Sequence, residues 1–194
     1  MQIMFDAGCG PAEYLKNGKT FDFPDLSSEL CPHCKKAYLK KHGFYERYLI
    51  EPEFEDKILI RRYCCDNCVK TVSLLPSFCH PKRTYGIRAI IGILNEYYIK
   101  TCVVCLAVTN FFTATGVEFS RQLLRHYRRR MEKNFNSLAK AITDIYVLRK
   151  PLGMGTADVN EKVRQLLLHI QHHLDDSLKI FERTRTTYLT PYAI

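Results

Sequence analysis

Two cysteine pairs set the strongest constraint on this chain. Cys31 and Cys34 bracket Pro32 and His33, Cys65 and Cys68 bracket Asp66 and Asn67, and 30 residues separate the pairs. Two residues between two cysteines turn both sulfurs toward one point on a tight knuckle. Two such knuckles complete a closed tetrahedral shell of four thiolates around Zn2+. The intervening residues read as a two-stranded unit. Residues 44–50 are aromatic and β-branched, residues 57–63 alternate Ile58 and Ile60 with Leu59 and Arg61, and an acidic stretch connects them. A hairpin returns its two ends to one place, so it brings the pairs to one ion. A closed shell leaves no open position for water, so the expected Zn2+ is structural and its binding is part of the folding free energy. Cys64 is the alternative ligand if the second knuckle shifts by one residue, but only Cys65 keeps the two-residue gap to Cys68.

The other cysteines read differently. Cys102 and Cys105 share the spacing but lie in an apolar, helical context, which predicts core packing. Cys79 and His80 read as structural, His33 as pointing outward, and Cys9 is uninformative. Nine cysteines is an odd number, and the first ten residues carry Asp6 and no basic n-region. A disulfide framework and a secretory signal are therefore not expected, and the chain reads as cytoplasmic. No run of apolar residues reaches the length of a membrane span.

The net charge of +9 is unevenly placed. Residues 31–85 carry 11 basic and 6 acidic side chains, and residues 119–150 carry 9 and 2, whereas residues 86–118 and 151–194 are balanced and residues 1–30 are acidic. Positive charge concentrated in two blocks is the footprint of a phosphate-contacting surface. After Pro81 the apolar period changes to that of a helix, with Ile87, Ile90, Ile91, Leu94 and Tyr98 on one face. A second helix is expected over about 101–112, with Gly116 breaking it at positive φ. A third opens at Ser120 as N-cap. In that third helix Leu123, Leu124, Tyr127 and Met131 form an apolar face opposite an arginine run. A helix that enters the major groove needs such a division. Ser120, Arg121, Gln122 and Arg125, near its start, are the expected base-edge contacts. Arg128, Arg129, Arg130 and Lys133 are the expected phosphate contacts. Asp158 and Glu161 resemble a capping box that opens a last helix toward Phe181. Its stripe Val163, Leu167, Ile170, Leu174, Leu178 and Phe181 fits either a dimer seam or packing on its own chain. His169, His172 and His173 share a face whose role the sequence leaves open.

The resulting expectation is an α+β chain: a small N-terminal β zinc ribbon, then an all-α helix-turn-helix region and a C-terminal helix. The divisions are an N-terminal lead-in at 1–30, the ribbon at 31–80, the helix-turn-helix at 84–150 and the last helix at 156–184. The lead-in residues Glu13-Tyr14-Leu15 and Asn17-Gly18-Lys19 precede the first cysteine pair. His42-Gly43 with Tyr45 and Arg47-Tyr48, the stretch 71–78 and the basic run 120–130 follow it. In this order and these motifs the chain resembles a family of uncharacterised bacterial proteins associated with insertion sequences and transposases. They join a zinc ribbon to a helix-turn-helix. The resemblance covers most of residues 10–135. It implies metal ligation by Cys31, Cys34, Cys65 and Cys68, DNA contact by Arg121 and Arg125, and a mobile-element setting, and it supplies no reaction. Knuckles of this kind often carry Gly after the second cysteine, where Lys35 and Val69 stand here.

The expected activity is sequence-directed binding of double-stranded DNA by an accessory or regulatory protein of a mobile element, located on the bacterial nucleoid. The alternatives are a transposase or transposase fragment acting with a catalytic partner, and a protein-interaction adaptor. A transposase needs carboxylates around Mg2+ on a mixed sheet. Asp144, Asp158, Asp175 and Glu182 lie in helical or loop contexts, so no catalytic residue is assigned. Expected partners are duplex DNA and either a transposase or a second copy of the chain, with no membrane and no small-molecule substrate.

Overall fold

Alternating aromatic and β-branched residues around a tight link make a long hairpin. Strand β2 (Leu39–Glu51) pairs antiparallel with β3 (Phe54–Cys65), in register from Leu39 opposite Cys65 to Glu51 opposite Phe54. The register shifts between Lys41 and Gly43, leaving His42 as a bulge. Both strands outrun the expected 44–50 and 57–63, because the pairing continues up to the cysteines. Strand β4 (Thr71–Pro76) pairs antiparallel with β3, and β1 (Gln2–Phe5) adds in parallel to β4, giving the order β1-β4-β3-β2. The structure is a computed structural model and describes residues 1–146, 148, 152, 153 and 155–172.

The lead-in at 1–30 is part of the sheet and its cover. It supplies β1 and helix α1 (Pro11–Asn17), opened by Pro11 in the first turn, where a missing N–H costs nothing. Tyr14 on α1 is fully buried and donates its hydroxyl to the carbonyl of Leu59 at 2.8 Å. Phe5, Phe21, Phe23 and Phe78 gather around the same face of the sheet, with neighbouring ring centroids 4.7–6.3 Å apart.

The helices follow the apolar period. Helix α2 (Ile87–Asn95) buries Ile87, Ile90, Ile91 and Leu94, and a π-helical turn at Glu96–Thr101 carries Tyr97 and Tyr98 into the core. Helix α3 (Val104–Thr115) crosses α2 so closely that a Cβ on Gly92 would come within 2.7 Å of the Phe111 ring. Gly116 ends α3 in the left-handed region at φ 72, as its position predicted. Ser120 then caps helix α4 (Arg121–Tyr146), accepting from the N–H of Leu123 at 3.1 Å. Asp158 caps helix α5 (Val159–Gln171) by accepting from the N–H of Asn160. The expected capping box is incomplete. The Glu161 carboxylate accepts from Arg164 and Gln165 instead of reaching back.

One sequence expectation fails in this region. Cys102 and Cys105 are exposed, not core. The inward stripe of α3 runs through Ala107 and Phe111, which leaves Cys105, Leu106 (51% exposed) and Phe112 (52%) on the far side. Cys102 precedes the helix in a left-handed conformation. Helix α5 packs on α2, α4 and the π-helical turn and buries Val163, Leu166, Leu167 and Ile170. That is the own-chain alternative for these residues. Leu174, Leu178, Phe181 and His173 lie outside the described residues. His169 packs edge-on to Tyr146, and His172 is exposed.

A single buried cluster runs from Met4 on β1 to Ile170 on α5. Its junction is Glu51, at the end of β2. This buried carboxylate accepts from the N–H groups of Arg88 (3.1 Å) and Ala89 (2.7 Å) and so caps α2 from outside the helix. A Cβ on Gly86 would stand 1.9 Å from the Glu51 Oε1, so only glycine fits at the start of α2. Among the described residues no helix is long and apolar enough to cross a membrane.

Candidate metal centre and arginine-rich helix

Each knuckle is built by the same backbone device. The N–H of Lys35 donates to the carbonyl of Cys31, and that of Val69 to the carbonyl of Cys65, both at 2.8 Å. Lys35 (φ 53) and Val69 (φ 57) take the left-handed conformation that Gly adopts more readily. The chain therefore keeps the knuckle geometry without the glycines. The hairpin closes the two knuckles on each other, since Leu39 pairs with Cys65 at its base.

The four sulfurs of Cys31, Cys34, Cys65 and Cys68 lie within 4.8 Å of one another, with Cys31 to Cys68 and Cys34 to Cys65 both at 3.6 Å. A tetrahedron with metal–sulfur bonds of about 2.3 Å has edges of about 3.8 Å, so the set fits a closed four-thiolate ion site. Cys64 is not part of it; its sulfur lies 3.8 Å from the carbonyl of Cys65. Backbone N–H groups are aimed at the sulfurs. The N–H of Lys36 draws the Cys34 thiol down to about 6. Burial opposes ionisation of Cys31, yet the N–H groups of Cys34 and His33 hold it below the usual thiol value. The N–H of Lys70 favours the Cys68 thiolate, but burial and the neighbouring sulfurs push that thiol up to about 11. Four thiols this close cannot all ionise without a cation among them. His33 is exposed, whereas Cys79 and His80 are fully buried. Burial pushes the Cys79 thiol to about 12 and the His80 imidazole to about 4, so both stay neutral.

Helix α4 turns Leu124, Tyr127, Met131, Phe135 and Leu138 inward. Arg121, Gln122, Arg125, Arg129 and Lys133 are exposed on the opposite side, next to exposed Ser120. Arg130 is half-buried at one edge of this face. Arg128 departs from the expected phosphate-contacting set. Its guanidinium lies 3.9 Å from the centre of the Tyr97 ring and pairs with Glu132 at 3.5 Å, and its side chain is 22% exposed. Glu132 in turn accepts from the Tyr98 hydroxyl at 2.7 Å. The spacing of 124, 128, 131 and 135 places Arg128 at the margin of the apolar stripe, a signal hidden by its membership in an arginine run.

The sequence reading also missed Arg47 and Glu51. Arg47 donates to the carbonyls of His80 (2.6 Å) and Arg83 and ties the 80–84 loop to β2. Arg47 offered only a charged side chain inside an expected strand, and Glu51 only a place in the acidic link after it.

A family described as a domain of unknown function (DUF6431) matches residues 31–105, from the first knuckle to the start of α3. The chain is similar to that family over this segment, which contains all four clustered cysteines. No curated protein and no solved structure matches the chain.

Proposed function

We propose that this chain is a double-stranded DNA-binding protein of a mobile element, stabilised by one structural Zn2+. In this proposal Cys31, Cys34, Cys65 and Cys68 hold the ion, and the two knuckles with their hairpin form a zinc ribbon. Four thiolates in a closed tetrahedron favour zinc and leave no coordination site for substrate, so the ion has no assigned chemistry beyond holding the fold. Helix α3, the link at 116–120 and α4 form the helix-turn-helix, with α4 as the recognition helix. No residue is assigned to catalysis.

The observation that carries the proposal is the outward face of α4. Arg121, Arg125, Arg129 and Lys133 are all exposed there, while the opposite face is anchored in the core. Arginines on such a face bind phosphate in a bidentate way or read guanine edges. The test is a fluorescence-anisotropy titration of duplex DNA at several salt concentrations with the zinc-loaded chain. Arg121→Ala and Arg125→Ala are expected to weaken binding about tenfold each and to flatten its salt dependence. Unchanged affinity in both variants, at unchanged thermal midpoint, overturns the assignment of α4. Metal analysis returning one zinc per chain supports the ribbon; iron in its place overturns the choice of metal. The mobile-element setting rests on the family resemblance, and a flanking transposase gene or terminal inverted repeats would test it.

A further inference from the structure

We propose that the 80–84 loop, carrying Lys82 and Arg83, is a second phosphate-contacting site, so that the sheet and α4 grip one duplex backbone together. This deepens the DNA-binding proposal and rests on it. The loop is joined to α4 directly. Arg83 Nη2 lies 3.1 Å from Nε2 of His126, on the same edge of α4 as Arg130. The outward arginine face of the helix therefore continues, through His126, onto the loop.

The loop is held rigidly, which lowers the entropic cost of using it for binding. Arg47 donates to the carbonyls of His80 and Arg83 from below. The N–H of Ile50 donates to Thr84 at 3.0 Å, that of Gly86 to Ile50 at 2.9 Å, and that of Arg83 to His80 at 3.2 Å. His80 is buried beneath, with Nδ1 3.0 Å from the carbonyl of Pro81. Pinned on this frame, Lys82 is exposed and Arg83 half-exposed.

A groove of about 320 Å3 opens beside the loop, with Arg47, Lys82 and Arg83 along it and Tyr45 and Tyr48 in its wall. Glu46 also lines it, but its carboxylate is paired with Lys57 at 3.1 Å. The balance of charge along the groove is positive. The cations here crowd one another as well. Burial, then the charges of Arg83, Arg130 and Arg129, hold the His126 imidazole below its usual value. A phosphate backbone relieves such crowding, and a row of cations facing a groove fits it better than it fits a neutral ligand. Lys82 and Arg83, two members of the basic excess of residues 31–85, thereby acquire a role.

The experiment is the same duplex titration across salt, with the full zinc-loaded chain. Arg83→Ala and the charge reversal Lys82→Glu are expected to weaken binding about five- to tenfold. Each lowers the slope of log affinity against log salt by about one contact, with zinc content unchanged. Lys82→Glu serves as the deciding variant if Arg83→Ala loses thermal stability with its His126 contact. If both variants keep wild-type affinity and slope while Arg121→Ala weakens binding, the second site is wrong and the α4 assignment stands. If the unaltered chain shows no duplex affinity at moderate salt, both fail.

Discussion

Val69 follows the second cysteine of its knuckle at φ 57, a conformation that a β-branched residue adopts at a cost of roughly 1–2 kcal/mol. The Val69 N–H to Cys65 carbonyl bond, at 2.8 Å, holds it there. Val69 is also 77% exposed, so its side chain contributes little packing. Val69→Gly is therefore expected to raise stability by about 0.5–1 kcal/mol in chemical denaturation, with the gain limited by the extra entropy of glycine in the unfolded chain. Arg128 shows the opposite balance. Its charge is shared between the Tyr97 face and Glu132, partly out of water. Arg128→Ala is expected to cost about 1–2 kcal/mol of stability through lost stacking and alkyl packing. On the proposed DNA-binding role, its effect on DNA affinity is expected to be much smaller than that of Arg121→Ala, and a larger one would return Arg128 to the proposed binding face.

At the scale of elements, the joint between β2 and α2 is a single carboxylate. Burial is the largest influence on Glu51 and raises it from 4.5 to about 7, against the two N–H groups of Ala89 and Arg88 that favour its charged form. The folded state therefore holds a proton that the unfolded chain releases. The stabilisation is complete below about pH 4.5 and is lost as pH rises through about 7. Its ceiling is about 3 kcal/mol. Glu51→Gln keeps an acceptor for α2 but does not titrate. The stability of the wild type relative to Glu51→Gln, measured by urea unfolding, is thus expected to fall between pH 4.5 and 7. A flat or rising difference would show that the amides, not burial, dominate.

For the whole molecule, the continuity of the core from β1 to α5 ties the four-cysteine cluster to the helices. In the proposed zinc-loaded chain, removing the ion with a strong chelator should lower the thermal midpoint of the helices and the sheet together, in one transition, with a loss of roughly 3 kcal/mol or more of stability. Cys65→Ser should reproduce this and abolish metal binding, whereas Cys64→Ser should retain one ion per chain and a near wild-type midpoint. Separate melting of sheet and helices would mean that the core is thermodynamically divided despite its contacts.

Local spacing determined much of this by itself. Two residues between cysteines, the strand patterns at 44–50 and 57–63, the helical period from Ile87 to Tyr98, and the caps Ser120, Asp158 and Gly116 are all short-range patterns, because knuckles, strands and helix ends depend on neighbours within a few residues. The tertiary structure decided what depends on partners far along the chain. It made residues 1–30 an edge strand and cover for the sheet, and turned Cys102 and Cys105 to the surface. It also drew Arg128 out of the arginine face, and brought Glu51 to α2 and Arg83 to His126. Periodicity states which side of a helix is apolar, but only packing fixes where that side ends and which charged group is pinned at its margin.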